Sequence, residues 1–242
     1  MAKTVVPYKE SSEDKKAQVA QMFNNISKRY DFLNHFLSLG IDILWRKKAI
    51  KILEKYKPEY VLDVATGTGD FAIEALKINP KKVTGVDISE GMMAVGRKKL
   101  QKMKVDHIVE LKYGDSENLP LEDNSVDAII VAFGVRNFEN LEKGLGEFHR
   151  VLKKDGVAII LEFSKPTKFP IKQLYNFYFS SVLPLVGKLI SKDNAAYTYL
   201  PESVKAFPDG KEFVDLLTKL NFKSTRCRTL TLGISSIYVG EK

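Results

Sequence analysis

The residues best placed to do chemistry lie in the run Asp63-Val64-Ala65-Thr66-Gly67-Thr68-Gly69-Asp70. Gly67 and Gly69 let the backbone approach a ligand closely, and a helical pattern starts directly after them, so a bound group would meet a helix N-terminus. Two more carboxylates, Asp87 and Asp115, stand at or just past the ends of later apolar runs, the second followed by Ser116. A lone Asp in such a place is as well explained as a cap of a helix or turn. Three acids at three successive strand ends are a set, because ligands of open parallel sheets bind outside the carboxyl ends of the strands.

Gly67 to Ala72 also satisfies the loose glycine pattern of dinucleotide-binding loops, with Asp87 near the expected ribose position. Charge separates the two readings. Asp63 and Asp70 flank the glycines where a dinucleotide would place its pyrophosphate, and like charges about 4 Å apart cost roughly 4 kcal/mol at intermediate dielectric. S-adenosylmethionine has no phosphate and brings an ammonium and a sulfonium, which carboxylates favour. Asp87 would accept hydrogen bonds from the ribose hydroxyls, and Asp115 with Ser116 would face the adenine edge. The absence of a following Gly-Lys-Ser/Thr removes the P-loop reading.

The elements that must hold these residues follow from periodicity. Residues 13–26 and about 44–56 read as helices, with Ala17, Ala20, Met22, Phe23 and Ile26 at helical spacing. Short apolar runs at 60–64, 82–87, 109–113, 127–133 and 157–163 read as strands; helices at 71–78, 91–102 and 141–152 lie between them. That alternation predicts parallel βαβ units with right-handed crossovers. After a helix at 210–220, the runs 222–230 and 234–239 are separated only by Thr231, Leu232 and Gly233, too few residues for a parallel crossover, so the end is a hairpin pairing antiparallel. The expected fold is α/β: a Rossmann-like, seven-stranded, mostly parallel sheet with an antiparallel C-terminal hairpin. One domain spans 1–242, with an N-terminal helical cap (about 12–57) and an apolar insert (about 166–208) forming the substrate side.

Composition narrows the class. The 242 residues carry 44% hydrophobic and 28% charged side chains, enough for a core and without disordered bias. One cysteine, Cys227, permits no internal disulfide, which points to a reducing cytoplasm. No signal or transit pattern opens the chain, and no apolar run approaches the roughly 18 residues of a membrane span. The net charge of +8 comes from lysines scattered along the whole chain, a solvated surface and not a nucleic-acid site. The same charge suits an anionic lipid surface.

Four stretches are far more specific than the glycines. They are the run from Tyr30-Asp31-Phe32-Leu33 to Leu44-Trp45; Arg150 to Gly156, continuing through Leu161-Glu162-Phe163-Ser164-Lys165-Pro166; Phe133-Gly134-Val135-Arg136-Asn137; and Tyr197-Thr198-Tyr199-Leu200-Pro201-Glu202-Ser203. With them the sequence resembles the ubiquinone/menaquinone biosynthesis C-methyltransferase family, most closely its demethylmenaquinone-methylating members, over roughly residues 15–242. The resemblance implies a class I methyltransferase fold, with cofactor contacts at Thr68, Asp87, Asp115 and Ser116. A family contact that is often serine falls on Ala132, leaving only backbone. The expected cofactor set is therefore Asp63, Thr66, Gly67, Thr68, Gly69, Asp87, Asp115, Ser116 and Ala132. Leu33 stands where Met is usual and Asp42 where His is usual, and the second departure puts in doubt any histidine role in that helix.

The implied reaction moves a methyl group from S-adenosylmethionine to a ring carbon of demethylmenaquinol, giving menaquinol and S-adenosylhomocysteine. The alternatives are a benzoquinol or another small aromatic or lipid acceptor, and, further off, a nucleotide-binding oxidoreductase or a non-catalytic module. No metal is expected, since one Cys and three His form no ligand cluster. Arg136, beside Asn137, is the expected stabiliser of the developing phenolate; the competing reading pairs it with a surface acid such as Glu139. His149 reads as structural, and Tyr30, Asp31, His35 or a water are unranked as base. The insert, with Leu174, Tyr175, Tyr178 and Phe179, reads equally as core or as a lid over a lipid channel, and Tyr30 with Trp45 as its other wall. The expected partners are a lipid quinol and, transiently, the inner face of the membrane; homo-oligomerisation is left open.

Overall fold

The structure, a computed structural model, describes residues 5–182 and 195–242. Strands β1 (Tyr60–Val64), β2 (Lys82–Asp87), β3 (Val109–Tyr113), β4 (Val126–Ala132), β5 (Leu152–Phe163), β6 (Lys223–Leu230) and β7 (Ser235–Glu241) form one sheet in the order β3-β2-β1-β4-β5-β7-β6. β1 to β5 pair in parallel, and β7 runs antiparallel to both β5 and β6. The first three strands have the expected bounds, because each is a short segment rich in β-branched, aromatic or alternating apolar residues stopped by a turn. β5 starts five residues earlier than its apolar run, since Leu152 already pairs with Val126 ahead of an irregularity in the ladder.

Strand alternation feeds two cores. Val61, Ile130, Ile159 and Ile237 face one side, where α3 (Ile41–Leu53), α4 (Asp70–Ala75) and α5 (Glu90–Met103) supply Leu53, Phe71 and Met93. Leu62, Ile129, Ile160 and Tyr238 face the other, against Phe148 of α6 (Leu141–Val151) and Phe213 of α9 (Lys211–Lys219). Each such side chain contributes about 1.5–3 kcal/mol by leaving water.

The strand order reverses between β1 and β4, and there the loops leaving both strands touch. A Cβ on Gly134 would lie 2.6 Å from the Ala65 Cβ, so only glycine lets the two loops come this close. Over this edge lie α1 (Lys15–Ile26), capped by Asp14 accepting from the Ala17 N–H at 2.7 Å, and α2 (Tyr30–Leu37). The periodicity missed α2 and started α3 late. Gly40, at φ +74°, turns the chain between them and donates to the His35 carbonyl at 2.8 Å, which lets α3 begin at Ile41.

The insert contributes α7 (Ile171–Phe177), a wider turn at 178–182, and α8 (Ala195–Ala206). The apolar residues Leu183, Leu185 and Val186 lie outside the described residues. Tyr199 of α8 packs with Val19 and Met22 of α1, joining insert and cap. No helix among the described residues is long and apolar enough to cross a membrane.

Candidate active site

The Gly-rich loop is held by its neighbours. Thr66 N–H donates to the Val86 carbonyl at 3.1 Å, tying the loop to β2, and Gly67 and Gly69 take φ values of +58° and +82°. Asp63 turns inward beneath the loop, where it accepts from the Thr66 hydroxyl at 2.7 Å. Burial pushes its carboxyl up to about 7, against the hydrogen bonds from Thr66 and the Ala72 backbone. Asp87 accepts from Gly67 N–H and Ser89 N–H, each at 2.8 Å. Protein surrounds that carboxylate and its desolvation pushes it up to about 6, yet the side chain keeps an opening on a hollow beside the loop.

That hollow brings together Gly67, Asp87, Asp115, Ser116, Ala132 and Asn137. Asp63, Thr66, Thr68 and Gly69 do not line it. Its volume is about 60 Å³, below the roughly 300 Å³ of small-molecule pockets. The closing wall is α1, whose Lys16 ammonium sits 2.7 Å from Asp115 Oδ2 and 3.4 Å from Glu117. The donor and acceptor set fits a nucleoside: Asp87 retains lone pairs that a ribose diol could use, and Val86, Ile88 and Met92 give the hollow an apolar side that would suit a base.

Asp63 and Asp70 do not present free carboxylates beside the glycines, contrary to the expectation from their spacing. Asp63 is buried away from the hollow, and Asp70 is paired with Lys99 at 2.6 Å, with Arg46 at 3.7 Å and His35 Nε2 at 3.5 Å. Thr68 gives its hydroxyl to Asp31 at 2.5 Å, and Lys99 bridges Asp31 and Asp70. These groups fasten α2 and α3 to the loop. An imidazole does stand beside Asp42, supplied by His35, whose Nδ1 lies 2.9 Å from Oδ2. Burial opposes ionisation of Asp42, but the Ser38 hydroxyl, Arg46 and His35 outweigh it and hold the carboxyl below its usual range.

A second cavity of about 390 Å³ adjoins the hollow, and Phe23, Tyr30, Phe133 and Asn137 line both. Its walls are aromatic: the Phe133 and Phe163 rings are 4.5 Å apart, with Trp45 6.0 and 6.2 Å from them. Trp45 Nε1 donates to Thr231 at 2.8 Å, which fixes the indole. Arg136 also lines this cavity, on the turn 135–137 after β4. Its guanidinium donates to Glu162 Oε1 at 2.9 Å and to the Phe133 carbonyl, and lies 5.4 Å from the Phe163 ring centre. The surface pairing with Glu139 does not occur; Glu139 accepts from the Lys15 N–H at 3.1 Å. Glu162 is fully buried, and that burial raises its carboxyl pKa despite Arg136.

Tyr30 lies on the shared wall, Asp31 and His35 belong to the charge network, and His149 packs edge-on to Phe222 at 5.3 Å, outside both cavities. Periodicity missed Lys16 and Glu162. Nothing in the sequence marks Lys16, but Glu162 had a signal: a carboxylate inside the apolar run 157–163 must be buried, and a buried charge requires a partner. Among the described residues no group of His, Cys, Asp and Glu is placed to hold a metal ion.

Comparison with known proteins bears on the whole chain. A family model described as the ubiE/COQ5 methyltransferase family matches residues 9–242. A demethylmenaquinone methyltransferase of Bacteroides fragilis is 49% identical over 240 residues, 98% of this chain and 97% of that protein. A ubiquinone/menaquinone biosynthesis C-methyltransferase of Geobacter sulfurreducens is 44% identical over 231 residues, 95% of this chain and 90% of the relative. A solved S-adenosylmethionine-dependent methyltransferase of Thermotoga maritima shares the fold, with a TM-score of 0.65 at 21% identity over 92% of this chain and 98% of that one.

Proposed function

The chain belongs to the ubiE/COQ5 methyltransferase family, and on that premise we propose that it methylates a ring carbon of demethylmenaquinol, giving menaquinol and S-adenosylhomocysteine. It is an S-adenosylmethionine-dependent C-methyltransferase with a Rossmann-like α/β fold. The observation that carries the acceptor reading is the aromatic cavity of about 390 Å³ sharing a wall with the hollow at Asp87. A bicyclic quinol ring would stack among Trp45, Phe133 and Phe163.

The sulfonium supplies the methyl group as an electrophile. The chain's own residues do the rest. Asp87 holds the ribose hydroxyls, and the shared wall sets the ring carbon in line with the methyl, which is catalysis by positioning. Arg136 faces the cavity with its charge already fixed by Glu162, so it can stabilise negative charge growing on a quinol oxygen without reorganising. The hydroxyl proton passes to water before attack; after the carbon–carbon bond forms, the ring carbon gives its own proton to water, the oxygen takes one back, and aromaticity returns in menaquinol with a net release of one proton.

The isoprenoid tail would leave by the rim, where Leu39 and Leu174 line the cavity yet are 84% and 61% exposed. With Phe177 also exposed, Lys168 just before α7 and Lys172 in its first turn, this rim suits contact with an anionic bilayer without a span. Methyl transfer from labelled donor into a panel of quinols, with the product position determined, tests the reading. Demethylmenaquinol is expected to exceed a benzoquinol and simple phenols; preference for a phenol or a nucleobase overturns it.

A further inference from the structure

Among the described residues, four buried side-chain polar atoms have no hydrogen-bond partner: Arg136 Nε, Asn137 Oδ1 and the hydroxyls of Tyr175 and Tyr199. All four residues line the aromatic cavity. Buried polar atoms are nearly always bonded, so each exception asks for an explanation. Here the exceptions gather at one place although they come from three separate elements: the turn after β4, α7 and α8.

Their chemistry is complementary to an aromatic hydroxyl. Arg136 Nε–H and the two tyrosine O–H groups are donors, which suit the lone pairs of a phenol or phenolate oxygen. The Asn137 amide donates to the Phe133 carbonyl at 3.3 Å, which leaves its oxygen as the acceptor a phenol O–H needs. Both tyrosine rings are anchored. Tyr175 stacks on Phe179 with centroids 4.2 Å apart, and Tyr199, 3% exposed, packs on Val19 and Met22. Burial raises the pKa of both phenols far above neutrality, so they remain protonated donors and do not act as bases.

We propose that Tyr175 and Tyr199, with Arg136, bind one oxygen of the acceptor ring and select for acceptors bearing an aromatic hydroxyl. The two tyrosines tie insert and cap to the reacting ring, and they give a role to the motif around Tyr199. This inference rests on the quinol reading of the same cavity.

Equilibrium dialysis of 1-naphthol and of naphthalene, at saturating S-adenosylhomocysteine, reads the hydrogen bond without turnover. Tyr175→Phe and Tyr199→Phe keep the rings and remove only the hydroxyls. Each is expected to weaken 1-naphthol binding roughly 3- to 10-fold and to leave naphthalene unchanged. With demethylmenaquinol, each should lower kcat/KM roughly 10- to 100-fold, the range for hydrogen bonds to a charged group. Affinity for S-adenosylhomocysteine should not move. Variants that bind 1-naphthol like the wild type overturn the proposal even if demethylmenaquinol is methylated, and so does a parallel loss for naphthalene, which marks a packing role. A wild type that methylates no quinol, while the two variants still lose affinity for 1-naphthol and not for naphthalene, overturns only the quinol reading.

Discussion

Arg136 and Glu162 form an ion pair at 2.9 Å in which the arginine side chain is 8% exposed and the glutamate 0%. The pair sits at the end of β5 and against the turn after β4, so it joins the acceptor cavity to the sheet. Removing one partner of such a pair strands the other charge, which typically costs about 3–5 kcal/mol.

The first prediction follows from that pair. Arg136→Ala should lose both stability and turnover, so the single variant confounds folding with catalysis. Arg136→Met with Glu162→Gln removes both charges and should recover most of the stability in urea unfolding. Turnover at saturating quinol should stay down about 10²-fold, as for other lost electrostatic stabilisers. Arg136→Lys should recover little activity, because an ammonium lacks the planar fork of donors. Full turnover in the double variant would mean that the phenolate is held by another group.

Asp87 carries the second prediction. Its carboxyl is pushed up to about 6, so an ionised carboxylate for the ribose diol becomes complete only above that pH. Affinity for S-adenosylhomocysteine, measured by calorimetry, should rise between pH 5 and 7 and then level. Asp87→Asn should flatten the profile, and Asp87→Ala should cost about 1–3 kcal/mol of binding. The sign for folding is opposite. Asp63, at about 7, and Asp87 bind protons more tightly folded than unfolded, so the stability they contribute is full below about pH 4. It is lost as pH rises through 6 and 7, and ligand-free thermal unfolding should show that fall. A wild-type affinity independent of pH over this range would remove Asp87 from the ribose site.

How far these groups were legible in the sequence depends on where their partners lie. Asp87 and Asp115 could be placed because strand ends are a local property, and β1 to β3 carry their boundaries in apolar runs. The shared wall of the two cavities could not be read, since Phe23, Tyr30, Phe133 and Asn137 meet only in three dimensions. Nor could the salt bridges of Asp31 and Asp70 to Lys99, or of Asp115 to Lys16, which join residues 68, 29 and 99 apart. α2 escaped because its eight residues, Tyr-Asp-Phe-Leu-Asn-His-Phe-Leu, include several weak helix formers, and tertiary packing decides such a segment.

The third prediction concerns the rim. Sedimentation with vesicles should show binding to anionic bilayers at low salt and loss at high salt, with little binding to neutral ones. Phe177→Asp, at an exposed position outside the cavity lining, should reduce binding without changing turnover of a short-tailed, soluble quinol. Equal partitioning to neutral and anionic vesicles would mean that charge plays no part in lipid delivery.

Trp45, the only tryptophan among 242 residues, is buried in the wall of the aromatic cavity and pinned by Thr231. Its emission therefore originates at a single known point. Quinones accept energy and electrons from an excited indole at contact distance, so the oxidised form of the acceptor should darken the protein as it fills the cavity, and the intrinsic fluorescence becomes a direct gauge of occupancy that needs no label.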